Sequence, residues 1–401
     1  MPAQGGPRPA RHRVLGWAAC AVVALVFGLV SGPAPHRVWG GIAAAGYAAA
    51  ALAAGRPGGG ARRSAVVAVT GAVALPLLLL VATGRGQLEV DVVERSGELL
   101  LRTGSPYLPE PAGLADYNPY LPGMAVFGAL PGDARWWLAA CFLGALTLAV
   151  RRSAPVLLIA ACPPVALPLA VGGVDLPVAG LMCLGLTLAG QGRAGRAGLV
   201  LGAAAALKWT AWPALPVAVA LLAARSGRRP ALRCGAVALT SGVAAVAPVA
   251  LADPTGFHRN VIAFPLGLTT TPSPAATPFP GRLLADHVPG GALVASVLLA
   301  VAAVLLAGSL LVRPPGTVAA AAGRLALGLT VAIALMPASR FGYLVHPLVL
   351  LACSVLPAPR GPLPLPLPQG GTPCPELRPG RSSSPMTFRP GKEVSKPSSG
   401  P

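Results

Sequence analysis

Apolar residues run in long, nearly unbroken blocks from residue 14 to residue 357, and polar residues are confined to the intervals between them. A bilayer core is crossed by about 20 consecutive apolar residues in a helix. Ten segments read as such spans: 14–30, 38–54, 64–83, 134–150, 155–170, 176–190, 234–252, 291–312, 325–338 and 344–357. An eleventh, 197–224, is longer and is interrupted by Lys208-Trp209-Thr210-Ala211-Trp212-Pro213. Proline and lysine in mid-segment predict either two half-helices that enter and return or two short spans. The pattern therefore predicts an all-α polytopic membrane protein with about 10–12 transmembrane helices.

Composition sharpens this reading. Only 11% of the 401 residues are charged and 54% are hydrophobic, whereas soluble domains are about 25% charged. The net charge of +19 raises the question of nucleic acid, and its distribution answers it. Arginines gather in short connections, Arg56/Arg62/Arg63, Arg151/Arg152, Arg193/Arg196 and Arg225/Arg228/Arg229/Arg233, which contain no acid. Short loops rich in Lys and Arg stay cytoplasmic. The positive charge is thus topological, and no nucleic-acid partner is expected.

The acids give an independent check. Placing Arg8, Arg11 and Arg13 inside puts Glu89, Asp91, Glu94, Glu98, Glu110, Asp116, Asp133, Asp175, Asp253 and Asp286 all outside, provided that 197–224 returns to its starting side. The remaining acids, Glu376 and Glu393, fall in the tail. Segment 14–30 has the basic front and apolar core of a signal peptide, but another apolar segment follows at once, so a retained anchor is expected. Cys20, Cys141, Cys162, Cys183, Cys234 and Cys353 lie in or beside spans and Cys374 in the tail, with neither metal nor disulfide spacing. The organisation is a basic cytoplasmic N-terminus (1–13), a membrane domain (14–359) and a Pro/Gly/Ser-rich tail (360–401) that is expected to be disordered in the cytoplasm.

Two long outer loops interrupt the spans, 84–133 and 253–290. In the first, a short helix is expected over 91–101, with Val92, Leu99 and Leu100 resting on the membrane surface. The second is rich in Pro and Thr and reads as a loop without secondary structure of its own. The first loop opens with Glu89-Val90-Asp91. A carboxylate where a span meets its loop loses solvation on one side, which raises its pKa and suits it to act as a base; charge alone favours a solvated loop edge. Lys208 within an apolar segment is either a functional charge or a side chain snorkelling to the interface. For Arg340, on a short outer turn, a phosphate site is favoured over an interface anchor. Arg259 and Arg282 are further outer cations. Asp175 reads as an N-cap for the span that follows, His346 as a buried structural histidine, and Asp253, Asp286 and His287 as solvated loop ends.

The order of motifs resembles a known group. Glu89-x-Asp91, Gly104-x-Pro106-Tyr107, Asn118-Pro119-Tyr120-x-Pro122, Leu207-Lys208-Trp209 with Pro213, and Ser339-Arg340-Phe341-Gly342-Tyr343 together resemble GT-C fold glycosyltransferases. The branch they resemble is the bacterial glycosyltransferase 87 (DUF2029) mannosyltransferase-like group. The likeness covers roughly 64–357, and each motif alone is weak. It implies a GT-C-like bundle that moves a hexose, mannose above all, with inversion from a polyprenyl phosphate to a lipid or glycan acceptor. This would happen on the outer face of the plasma membrane. By the same carry-over Asp91 would be the catalytic carboxylate with Glu89 as its acidic neighbour. A lipid-phosphate leaving group needs positive charge, which Lys208 and Arg340 would supply, and Tyr107, Tyr120, Tyr343 and His346 are the further candidates for substrate contact. No cofactor is implied, and a divalent cation is left open. A transporter or lipid flippase is the alternative, with a non-catalytic scaffold as a third reading. A cysteine placed in 84–133 should react with an impermeant thiol reagent on intact cells, whereas one in 225–233 should be protected; the reverse result would invert the orientation.

Overall fold

The computed structural model describes residues 8–57, 60–271 and 274–355. The tail expected to be disordered lies outside the described residues, as do residues 1–7. Helices of eight or more residues are labelled here in chain order: α1 (Arg8–Val30), α2 (Ala34–Gly55), α3 (Ala61–Ala82), α4 (Leu88–Thr103), α5 (Ala134–Val150), α6 (Ser153–Ala160), α7 (Pro163–Val171) and α8 (Asp175–Gly190). They continue with α9 (Ala194–Leu207), α10 (Ala214–Ser226), α11 (Arg228–Ala252), α12 (Pro280–His287), α13 (Gly291–Val312), α14 (Val318–Leu335) and α15 (Val345–Val355). Apart from an isolated bridge between Ala276 and Ser339, the described residues hold no strand pairing. The fold is that of an all-α polytopic membrane protein.

Among the described residues, α1, α2, α3, α11, α13 and α14 are the six helices long and apolar enough to cross a membrane. Two bent pairs raise the number to as many as eight: 122–129 with α5, at 115°, and α6 with α7, at 79°. The ten expected spans are reduced for identifiable reasons. Span 155–170 breaks at Pro163-Pro164, which lack the N–H groups needed to continue α6. Helix α8 has 16 residues and reaches only about 24 Å, short of a hydrocarbon core of about 30 Å. The last span begins as a 3₁₀ turn, Phe341–Leu344, before α15.

Backbone groups freed by these breaks find side-chain partners, as they must where water is scarce. Pro76 removes the donor that would have bonded the carbonyl of Ala72, within the π-helical turn Thr70–Ala74. The indole of Trp39 donates to that carbonyl at 2.8 Å. At the α6–α7 break, the hydroxyl of Tyr47 donates to the carbonyl of Ala161 at 2.6 Å. Both side chains are buried, so each ties α2 to a broken neighbour.

Segment 197–224 forms two short helices, α9 and α10, separated by the 3₁₀ turn Trp209–Ala211. A Cβ at Gly198 would lie 2.7 Å from the carbonyl of Cys234, and one at Gly202 would lie 2.7 Å from that of Ala238. Contacts advance in the same direction along both chains, so α9 and α11 run parallel. Helix α10 meets α11 through Val219 and Gly235, equally far from the turn between them, so that pair is antiparallel. The segment therefore returns to the face on which it began.

The two long loops are more ordered than their sequence announced. Helix α4 starts three residues earlier than expected, and Val92 is buried in the protein instead of resting on the membrane surface. Loop 253–290 contains the turn Pro254–Phe257, the π-helical turn His258–Ala263 and α12. Asp253 caps the first of these, accepting the Gly256 N–H at 2.8 Å, with Pro254 at the first helical position. It also accepts the Ser105 hydroxyl at 2.6 Å, so it is a tie between the two loops and not a solvated end. Asn118 and Asn260 are buried between them: the Asn118 N–H donates to Asn260 Oδ1 at 2.9 Å, and Asn118 Nδ2 donates to Ser96 Oγ at 2.8 Å.

Three further contacts hold helix α4. A Cβ at Gly97 would collide with the backbone of Gly128 and Ala129. Glu94 accepts the Ala134 N–H at the start of α5, 3.0 Å away, and Gln87 donates to the Gly172 carbonyl at 3.1 Å. Gly97→Ala should therefore cost about 1–3 kcal/mol through overpacking. Gly144→Ala, on an open face of α5, should be neutral or stabilising by up to about 1 kcal/mol. Thermal melts of the detergent-solubilised protein would check both.

Candidate functional site

A cavity of about 1280 Å3 opens between the helix ends and the two long loops. Its walls are mainly apolar, with Val23 and Phe27 of α1 and Leu167 and Val171 of α7 among them. Into these walls are set Glu89, Asp175, Lys208 and Arg340, together with Tyr120 and Tyr343.

Asp175 begins α8 but caps nothing through its side chain. Its Oδ1 lies 2.5 Å from Lys208 Nζ and 2.9 Å from His346 Nε2. This corrects its reading as an N-cap. The reason is electrostatic: Lys208 stands at the break after α9, only 12% exposed, and an ammonium removed from water requires a counter-charge. Lys208 Nζ also lies 4.6 Å from the ring centre of Tyr343 and 5.6 Å from that of Tyr120, within range of cation–π attraction. His346 is wholly buried behind Asp175, where Nε2 also approaches Thr210 Oγ1 at 3.3 Å. Its Nδ1 has no hydrogen-bond partner among the described residues.

The second ion pair joins Arg340 Nη1 to Glu89 Oε1 at 2.6 Å, with the side chains 35% and 23% exposed. Glu89 and Val92, three residues apart on α4, both line the cavity. Asp91 does not. It is exposed and outside the cavity wall, because it lies about 200° round the helix from Glu89. In the first turn of α4 both acids favour the helix dipole, but only Glu89 is turned to the site.

The other residues singled out divide cleanly. Tyr120 and Tyr343 line the cavity; Tyr107 and His346 do not. The Tyr107 hydroxyl donates to the Tyr120 carbonyl at 3.1 Å, which supports the segment that carries Tyr120. Burial, with the nearby charge of Asp253 as a smaller cause, raises the Tyr107 phenol well above its ordinary value. The N–H groups of Gly113 and Ala112 hold Asp116 below the usual carboxylate range. Arg259 donates to the Pro109 carbonyl, and Arg282 pairs with Asp286 at 2.7 Å, so neither supplies charge to the cavity. Among the described residues no group of three or more His, Cys, Asp and Glu side chains could hold a metal ion. Within the cavity, Asp175 is a residue that sequence reasoning misjudged. The signal was present, since a lysine inside an apolar segment calls for an acid at the same depth and Asp175 borders the preceding span.

The sequence matches no family model, no curated protein and no solved structure.

Lys208→Met would leave Asp175 buried without its cation. Breaking such a pair costs about 3–5 kcal/mol, so a large fall in melting temperature is expected. The double variant Asp175→Asn/Lys208→Met should recover much of it, with a coupling of about 0.5–3 kcal/mol across the cycle. Additive losses would show that the pair contributes no coupling.

Proposed function

We propose that the protein is a membrane glycosyltransferase that takes a hexose from a polyprenyl-phosphate donor and passes it to a lipid or glycan acceptor. The observation that carries this reading is a single cavity in which apolar walls meet two carboxylates and two cations. Apolar walls suit a prenyl chain, cations suit its phosphate, and a carboxylate suits the acceptor hydroxyl.

In this reading the donor phosphate lies against Lys208 and Arg340. The acceptor oxygen attacks the anomeric carbon as the bond from that carbon to the phosphate oxygen breaks. The bonding pair leaves with the phosphate, whose charge the two cations stabilise, and the configuration inverts. The acceptor proton passes to a carboxylate. We assign that role to Glu89 in place of Asp91, since Glu89 faces the cavity. Arg340 has five N–H donors, so it can hold the phosphate while it orients Glu89. Asp175, neutralised by Lys208, positions that lysine. The motif resemblance and the segregation of arginines from acids support a site on the outer face of the plasma membrane.

A lipid transporter is the second reading. It is favoured by the bent pair α6–α7 and by the non-helical break between α9 and α10, which both border the cavity.

The test uses the full chain reconstituted in vesicles with labelled polyprenyl-phosphate mannose. Glu89→Gln should lower transfer about 10²–10⁴-fold while the melting temperature and donor retention persist. Asp91→Asn should transfer at close to the wild-type rate, and Arg340→Ala should weaken donor retention. Full transfer by Glu89→Gln would remove Glu89 as the base. Movement of intact donor across the vesicle, without transfer, would favour the transporter.

A further inference from the structure

A second hollow lies at the opposite end of α9 from Lys208, about 21 Å away along the 14 residues of that helix. It measures about 640 Å3, and Arg193, Arg196, Arg229 and Arg233 line it, with Gly192 and Gly195. No acid lines it, and none of the four guanidinium groups pairs with a carboxylate among the described residues. Retention of a loop by positive charge requires arginines near a membrane face; it does not require them to converge on one concavity.

The convergence follows from helix packing. Glycines 198 and 202 let α9 lie backbone to backbone along α11, parallel to it, so the two helices start side by side. The starts at Ala194 and Arg228 each present N–H groups without intrahelical partners. Arg233, on the second turn of α11, reaches over the first turn of α9. A Cβ at Gly195 would lie 3.4 Å from its Nε and Nη2, so the glycine leaves the guanidinium room to lie there. Four like charges held in one hollow repel one another, and an anion that bridges them removes that repulsion. Guanidinium groups bind phosphate oxygens in bidentate fashion, and the adjacent helix starts add to the attraction.

The surroundings identify the source of the phosphate. Leu199, one turn beyond Arg196, is 57% exposed, and Leu232 and Leu239, beside and beyond Arg233, are 66% and 52% exposed. Basic groups at the helix starts, with apolar side chains one and two turns deeper, match a charged headgroup followed by its acyl chains. We propose that this hollow binds the phosphate of an anionic phospholipid. The proposal is independent of the chemistry assigned to the main cavity.

The test compares the full chain with Arg193→Gln/Arg233→Gln and with Arg62→Gln/Arg63→Gln, which removes equal charge from the start of α3. Each protein is purified from vesicles containing equal parts phosphatidylglycerol and phosphatidylcholine, and retained lipid is read by native mass spectrometry. The wild type should retain phosphatidylglycerol selectively. Arg193→Gln/Arg233→Gln should weaken that retention by about tenfold or more, as the loss of a charge-assisted contact implies, and Arg62→Gln/Arg63→Gln should not. Equal retention by the two pairs would reduce the arginines to topological charge and overturn the proposal. A second arm adds inorganic pyrophosphate to protein in phosphatidylcholine vesicles. A rise in melting temperature there, without phosphatidylglycerol selectivity, would reassign the hollow to a soluble phosphate and overturn the lipid. If the Gln pair does not fold, Arg193→Lys/Arg233→Lys keeps the charge but loses the bidentate fork. Weakened retention in that variant supports the proposal, and unchanged retention overturns it.

Discussion

An ammonium group that leaves water loses several kcal/mol of hydration, and little but a well-placed carboxylate restores it. Lys208 imposes that requirement on the centre of this molecule. It stands where α9 ends, and its counter-charge comes from the first residue of α8, 33 positions earlier in the chain. Meeting it fixes the start of α8 against the break between α9 and α10, with His346 of α15 closing behind. Three elements distant in sequence are thereby brought to one wall of one cavity. Arg340 and Glu89 repeat the arrangement across 251 positions and bring the α14–α15 turn to the start of α4.

The same economy governs the uncharged backbone. Near Pro76 and at the α6–α7 break, a carbonyl without its helical donor accepts from a buried aromatic side chain of α2. The bends are thus built features with dedicated partners. They turn helix ends inward, and inward-turned ends are where a membrane protein can place irregular backbone and polar side chains.

The membrane class was legible because apolar blocks of this length have few other uses. Lys208 and Arg340 stood out in the sequence as charges bordering apolar segments, and both line the cavity, each paired with a different acid. Asp175 was misread because capping is a rule of neighbours, whereas its true partners lie far along the chain. Glu89 and Asp91 could not be separated from sequence. Which acid faces inward depends on the rotational setting of α4, and that is fixed by the meeting of Gly97 with Gly128. The helical turns of loop 253–290 were hidden by its Pro and Thr content, although Asp253-Pro254 carried the mark of a helix start.

Helix α1 lends Val23 and Phe27 to the cavity wall, yet only 11% of its apolar window is buried by protein. Among the described residues most of that surface has no protein against it, so at Val23, itself 54% exposed, the wall of the site is also a surface for acyl chains.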